Sequence, residues 1–159
     1  MKYCIDTSGL ARAWRDLYPP SVFPSVWKDI ELLADNGSLI APDEVFEELK
    51  RGGDDLYDWA CKRPHLFIPP DIDIQSTVST ILANPEHAKL LFTKNATNLV
   101  IADPFVIATA KVHFCTVVSG ENFQQSVSPN KTKIPNVCAD LNIPHVSFLE
   151  LIRELGWVY

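Results

Sequence analysis

The stretch that decides the fold is KYCIDTSGL, from Lys2 to Leu10. Its first half, KYCID, predicts a short buried strand that ends in Asp6. The following TSGLARAW predicts a turn of small residues by which the chain leaves the strand. A carboxylate at this position has two interpretations. Asp6 can accept backbone hydrogen bonds in the turn at Thr7-Ser8, or it can hold a ligand at the edge of a sheet.

Short apolar strands alternate with helical patterns along the rest of the chain. Further strands are predicted in SLIA (38–41), LFIPP (66–70), CTVVSG (115–120) and HVSF (145–148). In the first half of the chain, helices are predicted from about Ser25 to Asn36-Gly37, from Pro42 to Gly52-Gly53, and over 54–63, 71–84 and 85–92. In the second half, they are predicted from Asp103 through Val112, from Pro135 over 136–142, and after a capping box of Ser147 and Glu150. This alternation favours an α/β fold with a mostly parallel central sheet, whose functional crevice lies at the carboxyl ends of the strands.

Length and composition predict one soluble domain over residues 1–159. The chain has 159 residues and is 47% hydrophobic, which suffices for a real core and argues against wholesale disorder. No apolar run approaches the roughly 20 residues that a membrane-spanning helix needs. The N-terminus reaches Asp6 too early for a signal peptide. We therefore expect a cytoplasmic protein without a membrane association.

Several classes of site are disfavoured by the residues that are missing. The four cysteines form no C-x-x-C pair, so in a reducing compartment we expect them to be free core residues. The four histidines form no HExxH array, which argues against zinc, and no P-loop motif occurs. The net charge of −6 disfavours nucleic-acid binding. This argument weakens if some of the acidic residues lie together in one cleft, where a bound divalent cation would offset their charge.

Four acidic residues fall where strand ends and helix starts would bring them to one crevice. Asp6 follows the first strand, Glu48 lies on the helix after the second, Asp103 begins a helix, and Glu121 follows CTVVSG. Each also has a structural interpretation. Asp103 followed by Pro104 is a common N-cap, Glu121 can be a loop acid, and glutamates on helices are usually solvated.

The helix DEVFEELKR places its glutamates differently around its axis. Val45, Phe46 and Leu49 fall on one face, and Glu48 lies roughly 80° to 100° from the middle of that face, at its border. A border carboxylate can reach a cleft while the helix packs on the sheet. Glu44 is expected to point further toward solvent, and it is the reserve candidate because it lies one turn before Glu48.

Taken together, these motifs resemble those of the PIN-domain nucleases over Lys2 to about Phe123. YCIDTSGL resembles the family's strand that ends in aspartate, VFEELKRG its helix with glutamate before leucine, and ADPFVIATAK its aspartate at the start of an alanine-rich helix. VVSGENF is similar to the last motif, in which a strand ends in Ser or Thr with an acid two residues on. WRDLYPPSVFPSVW and KIPNVCADLNI are similar to a less-characterised PIN-like branch.

The resemblance implies a three-layer α/β/α sandwich and a metal-dependent endoribonuclease. Asp6, Glu48, Asp103 and Glu121 would be the catalytic and metal-binding residues, and their hard oxygen ligands suit Mg²⁺ or Mn²⁺. The wider group includes toxins of VapBC-type toxin–antitoxin pairs, so the implied partners are an RNA substrate, an antitoxin protein and a second copy of the chain. Glu121 departs from the family's usual aspartate, which puts two-metal chemistry in question.

Four further residues are candidates for substrate binding. Ser8 and Ser119 would hydrogen-bond to metal ligands or phosphate, although turn capping is an equal alternative. Arg12 and Arg15 would contact RNA phosphates, or they are solvated surface charges.

Two other functions remain as alternatives. The chain could be a PIN-like domain with weak or no catalysis that acts as a protein- or RNA-binding module. A phosphatase of the haloacid-dehalogenase type also begins with a strand-end aspartate, but it needs a second acid where Ser8 stands.

Overall fold

A five-stranded parallel sheet organises the part of the chain that the structure describes. This computed structural model describes residues 1–91, 101–126 and 128–159. The strands are β1 (Tyr3–Ile5), β2 (Leu39–Pro42), β3 (Phe67–Ile68), β4 (Thr116–Val118) and β5 (His145–Val146). Their order is β3-β2-β1-β4-β5, and every pairing is parallel. The predicted α/β class with a parallel sheet is therefore confirmed.

The helices alternate with these strands, as the sequence predicts. They are α1 (Thr7–Arg12), α2 (Pro24–Asp35), α3 (Asp43–Gly52), α4 (Asp55–Cys61), α5 (Ile72–Ala83), α6 (Pro85–Ala88), α7 (Asp103–His113), α8 (Ile134–Asp140) and α9 (Phe148–Glu154). A π-helical turn, Ala13–Leu17, continues α1, and 3₁₀ turns form at Pro64–Leu66 and Lys89–Leu91. Phe92, at the end of the helix predicted over 85–92, lies outside the described residues. None of the described helices has the length and apolar character to cross a membrane.

Helices cover the sheet in two layers. On one face, α7 contacts β1, β2 and β4, and α5 and α8 pack against α7. The other layer contains α2, α4 and α9, whose aromatic side chains meet in one cluster with Trp14. Within it, the ring centroids of Trp14 and Trp27 lie 4.6 Å apart, and those of Trp27 and Trp59 lie 5.4 Å apart. This is the predicted three-layer sandwich, and these three tryptophans pack in or against its core rather than forming a base-stacking surface.

Three local predictions need correction. The chain does not leave β1 through a turn, because α1 begins at Thr7 and the Asp6 carboxylate caps it by accepting the Ser8 N–H. Pro42 does not lie in a first helical turn; it has an extended conformation and ends β2. Asp103 is not an N-cap. Ala102 holds that position without a side-chain cap, and Asp103 is the first helical residue.

The chain adds strands to the sheet first on one side of β1 and then on the other, and this topological switch point defines the crevice. The chain runs from β1 through β2 to β3 on one side and later adds β4 and β5 on the other. Ile5 pairs with Val118, and the Asp6 N–H donates to the Val118 carbonyl oxygen at 2.9 Å. Ligands of parallel α/β sheets bind outside the carboxyl ends of the strands at such a switch point. Asp6 and the residues after β4 therefore stand at the expected place for a functional site.

Candidate active site

Asp6 presents one free carboxylate oxygen inside the protein. Its Oδ2 accepts hydrogen bonds from Ser8 N at 3.0 Å and from Ser8 Oγ at 2.5 Å. Its Oδ1 is buried without a hydrogen-bond partner among the described residues, and Asp6 as a whole is only 3% exposed. A buried acceptor without a partner is costly, so such an atom calls for an explanation.

Asp103 faces the same region from the start of α7. Its Oδ2 lies 3.5 Å from Lys131 Nζ, and the same ammonium donates to the Leu90 carbonyl oxygen at 3.1 Å. The carboxylate does not cap its own helix, which leaves it available for an interaction across the crevice.

Glu48 links three elements that converge at the crevice. The Thr7 hydroxyl donates to its Oε2, and the Ala102 N–H donates to its Oε1 at 3.0 Å. The Arg51 guanidinium lies 3.7 Å from Oε1. Glu48 thus holds the first turn of α1 and the start of α7 against α3, and each of its oxygens already accepts a hydrogen bond from the protein.

Glu121 is held at the start of α8. Its Oε1 lies 3.2 Å from Lys133 Nζ, and its Oε2 accepts the Ile134 N–H at 2.9 Å. The carboxylate satisfies a backbone donor of the first helical turn, which is a structural role in its own right. Its side chain is still 18% exposed, so it is not sealed from the crevice.

The pKa values of Asp6 and Asp103 are raised, and the charges of the other two carboxylates contribute to these shifts. The pKa of Asp6 is raised to about 7, chiefly by burial and then by the charges of Asp103 and Glu48, against the lowering effect of the hydrogen bonds from Ser8. Burial likewise raises the pKa of Asp103 to about 6, with Lys131 opposing and Glu121 and Glu48 contributing. Carboxylates with such raised pKa values, grouped at a crevice, are typical of functional sites.

The four side chains do not form a ready-made metal cage. Among residues 1–91, 101–126 and 128–159, no three His, Cys, Asp or Glu side chains are grouped closely enough to hold an ion. Carboxylates that repel one another stand apart until a cation offsets the repulsion, so this separation is compatible with their shared electrostatic environment. The four carboxylates influence one another at the crevice but form no closed group of metal-ligating side chains among the described residues.

Glu44 is less exposed than its helical position predicts. Its Oε2 is buried without a hydrogen-bond partner among the described residues, and burial raises the pKa of its carboxyl group. The expectation that Glu44 points further toward solvent is therefore wrong for this oxygen. Glu44 does not contribute to the pKa shifts of Asp6 or Asp103, so it stays a reserve candidate.

Three of the four predicted substrate-binding residues lie around the crevice. The Ser8 hydroxyl connects Asp6 Oδ2 with the Gly120 N–H, which donates to it at 2.9 Å. Ser119 is buried, and its hydroxyl lies 2.8 Å from His145 Nε2 and accepts the Glu121 N–H at 3.2 Å. Arg12 Nη1 donates to the Gly120 carbonyl oxygen at 3.0 Å.

Arg15 is engaged elsewhere. Its Nη2 and Nε lie 2.5 Å and 3.1 Å from Asp54 Oδ2. This ion pair gives the guanidinium a structural role that needs no RNA phosphate. A role for Arg15 in binding phosphate stays a prediction.

Sequence reasoning missed the two lysines that face the carboxylates. Lys131 and Lys133 stand in the KTKIP segment, with one residue between them. This spacing can turn both side chains to one side of an extended segment, and that was the available signal. Thr7 and His145 were also missed, because their contacts with Glu48 and Ser119 join residues far apart in the sequence.

A solved structure has the same fold. A chain from the crystal structure of VapBC2 from Rickettsia felis, bound to a DNA fragment from their promoter, aligns with a TM-score of 0.53 at 16% sequence identity. The alignment covers 92% of this chain and 98% of that chain. The resemblance to the PIN-domain family, whose wider group includes VapBC-type toxins, is thereby confirmed at the level of the fold. No curated protein sequence matches the chain.

A family model also covers almost the whole sequence. It matches residues 3–159, and its description is "Domain of unknown function (DUF4411)". The match includes all four acidic positions and the KTKIP segment. This agrees with the less-characterised PIN-like branch expected from WRDLYPPSVFPSVW and KIPNVCADLNI. The chain therefore belongs to the DUF4411 family.

Proposed function

We propose that the protein is an endoribonuclease that hydrolyses RNA phosphodiester bonds at a carboxylate-bound Mg²⁺ or Mn²⁺ site. The observation that carries this proposal is the Asp6 carboxylate. Its Oδ1 is buried without a partner in the described structure, and its pKa is raised by burial and by neighbouring carboxylates. A divalent cation would remove both penalties, because it supplies a partner for the oxygen and offsets the repulsion.

The residues fit the implied ions. All four side chains offer carboxylate oxygens, which are the hard ligands that Mg²⁺ and Mn²⁺ prefer. In the metal-free protein, the Lys131 ammonium provides the positive charge beside Asp103 that a metal ion would provide. The failure to form a closed cage is compatible with Mg²⁺, which usually keeps several waters and takes few protein ligands.

The hydrogen bonds suggest different roles for the four acids. Asp6 and Asp103 would be the central ligands, because Asp6 Oδ1 accepts no hydrogen bond in the described structure and Asp103 serves no cap. Glu48 and Glu121 have both oxygens engaged by protein groups, so they would act through water or orient the attacking water. A bound ion in such a site activates water and stabilises charge on the scissile phosphate.

The biological setting is a second part of the proposal. The name VapBC2 of the structurally similar protein, and its promoter DNA, favour a role for the present chain as the toxin of a toxin–antitoxin pair. An antitoxin protein and a second copy of the chain would then be its partners, and the cytoplasm its location. At 16% identity these relations rest on the shared fold.

The alternative function is a PIN-like module that binds protein or RNA with weak or no catalysis. The specific observation in its favour is Glu121, whose Oε2 accepts the Ile134 N–H while Lys133 neutralises Oε1. In this alternative, Glu121 serves the fold, and Asp6, Glu48 and Asp103 are left without a fourth carboxylate that could share a metal ion.

Cleavage of a mixed RNA pool tests the choice between the two. Purified protein would be assayed with Mn²⁺, with Mg²⁺ and with EDTA, beside Asp103→Asn and a matched control, Asp73→Asn, on the exposed side of α5. We expect metal-dependent cleavage that Asp103→Asn reduces at least about 100-fold and that Asp73→Asn retains, because the interaction removed acts in the transition state. Equal cleavage by the Asp103→Asn variant would refute the assignment. No cleavage by a protein that binds no Mn²⁺ would favour the alternative.

A further inference from the structure

A cavity of about 250 Å³ opens beside the carboxylates at the carboxyl edge of the sheet. Residues that follow three neighbouring strands line it: Gly9 on α1 after β1, Ser119 and Gly120 after β4, and Ser147 and Phe148 after β5. It is smaller than pockets for drug-sized ligands, which span roughly 300–1,000 Å³. The size suits one flat heterocycle rather than a whole cofactor.

One hydroxyl connects this cavity with the candidate catalytic centre. Ser8 Oγ donates to Asp6 Oδ2 at 2.5 Å and accepts the N–H of Gly120, a cavity wall residue, at 2.9 Å. Glu121 follows Gly120 in the chain. A polynucleotide with its scissile phosphate at the carboxylates would therefore have an adjacent nucleoside within reach of the cavity.

The walls combine apolar faces with a few hydrogen-bonding groups. Leu17 and Leu149 line the cavity and are 42% and 40% exposed, and the lining residue Phe148 is buried. Arg12 and Asn122 provide polar groups in the lining. Splayed-out bases of single-stranded RNA are bound in this way, with their faces on apolar or planar side chains and their edges hydrogen-bonded.

Charge also favours a nucleotide at this position. The protein has a net charge of −6, but among the described residues no acidic side chain lines the cavity, and Arg12 is the cationic residue that does. Arg12 Nη1 donates to the Gly120 carbonyl oxygen at 3.0 Å, which fixes the guanidinium against the wall. Of its five N–H donors, this is the one with a hydrogen bond in the described structure, so others remain for a base edge or a phosphate.

We propose that this cavity binds the nucleobase adjacent to the scissile phosphate and sets the sequence preference of cleavage. The proposal rests on the proposed nuclease function for the position of the phosphate. Its occupant is a base of single-stranded RNA, held against the apolar side chains of Leu17 and Leu149 and read by Arg12 and Asn122.

A binding experiment tests the cavity independently of catalysis. The ¹⁵N-labelled protein would be titrated in EDTA with AMP, GMP, CMP and UMP, and with ribose 5-phosphate as the probe without a base. We expect base-dependent shifts of the Gly120, Asn122 and Phe148 amide signals, and at least tenfold weaker effects from ribose 5-phosphate. Equal effects of ribose 5-phosphate would show a phosphate site only and would overturn the proposal.

Variants that fill the cavity provide the second arm. Leu149→Trp and Leu17→Trp enlarge lining residues on two different helical elements, so that one remains informative if the other fails to fold. Leu32→Trp is the matched control, because Leu32 is 61% exposed on α2 and does not line the cavity. The nucleotide-induced shifts should be lost in the cavity variants and kept in the control. Shifts that persist in both folded cavity variants would overturn the proposal.

Sequencing the ends of cleaved RNA separates this proposal from the nuclease assignment. The preference for one base beside the cut should change about tenfold in the cavity variants and stay constant in Leu32→Trp. An unchanged preference in a cleaving cavity variant would refute the base pocket and leave the nuclease intact. If the wild type neither cleaves RNA nor binds Mn²⁺, the nuclease proposal fails, and nucleotide binding alone decides whether the cavity accepts a base.

Discussion

Lys131 Nζ lies 3.5 Å from Asp103 Oδ2, so a lysine ammonium neutralises one of the two central carboxylates. Burial raises the pKa of Asp103, and Lys131 opposes this shift more strongly than Glu121 or Glu48 adds to it. The same ammonium donates to the buried Leu90 carbonyl oxygen. Lys131 therefore competes with any divalent cation that Asp103 binds, and this competition has a measurable consequence.

Replacing Lys131 should tighten metal binding. In Lys131→Gln the Asp103 carboxylate loses its competing cation, and a divalent ion no longer meets a positive charge at this position. At pH 8, where Asp103 is ionised, we expect Mn²⁺ affinity to rise on the order of tenfold, from Coulomb interactions at an intermediate dielectric. Titration calorimetry measures it. Lys89→Gln is the control, because Lys89 pairs with Glu86 at the surface and should leave the affinity unchanged. A weaker affinity in Lys131→Gln would contradict the competition.

The free energy of unfolding of the metal-free protein should fall with rising pH because of Asp6. Its pKa in the folded state is about 7, against 3.8 ordinarily, so the folded state binds more protons than the unfolded state between these values. This contribution to the free energy of unfolding, on the order of 4 kcal/mol, is fully present below about pH 4 and is lost as the pH rises through 7.

Asp6→Asn isolates that contribution from other titrating groups. The amide cannot ionise, so in EDTA the variant should be more stable than the wild type at pH 8 and lose this advantage at pH 4.5. Urea unfolding at both pH values measures the difference. A variant that is less stable by the same amount at both would show that the Asp6 carboxyl has no raised pKa.

Divalent cations should stabilise the folded protein through the same carboxylate. Binding to the folded state alone adds about 2.7 kcal/mol when the ion is present at 100 times its Kd. We expect Mg²⁺ or Mn²⁺ to raise the melting temperature of the wild type and of Asp73→Asn. The gain should disappear in Asp6→Asn, whose Oδ1 position no longer carries a charge. An equal gain in all three proteins would indicate that the ion binds elsewhere.

Gly120 should tolerate no side chain. A Cβ at this residue would lie 2.7 Å from the Ser8 carbonyl oxygen, because the segment after β4 passes close to the start of α1. Gly120→Ala is expected to cost roughly 1–3 kcal/mol of stability, as overpacking does, and to displace Ser8 from Asp6. Gly52→Ala is the control. Its Cβ would approach Arg15 Nη2 only to 3.6 Å, so urea unfolding should show little loss or a small gain. Equal losses in both would contradict the close approach.

The sequence predicted the elements and their order well, because apolar periodicity and breaker residues are local signals. The capping box of Ser147 and Glu150 is present, and Gly53, directly after α3, has the left-handed conformation of a helix C-cap. The boundary errors at Pro42 and Asp103 arose where two local rules competed. Proline fits both a strand end and a first helical turn, and aspartate before proline fits both an N-cap and the first helical residue.

At the candidate site, the sequence predicted the four acidic residues and, beside them, Ser8, Ser119 and Arg12, but not their contacts. Asp6, Glu48, Asp103 and Glu121 could be located because each stands at a strand end or on an adjacent helix. The contacts that define their roles join distant residues, as in Thr7 with Glu48 or Lys131 with Asp103. Such pairs depend on tertiary packing and have no local pattern, so the neutralising lysines and the cavity emerged only from the fold.

Anomalous diffraction from a crystal soaked in Mn²⁺ tests the central claim most directly. We predict a manganese peak in contact with Asp6 Oδ1 and an Asp103 oxygen, with Lys131 Nζ moved away from Asp103. In a crystal of Asp6→Asn under the same conditions, the peak should be absent or much reduced. A wild-type crystal at saturating Mn²⁺ that shows no peak between these two aspartates, with Lys131 still beside Asp103, would contradict the proposed metal site.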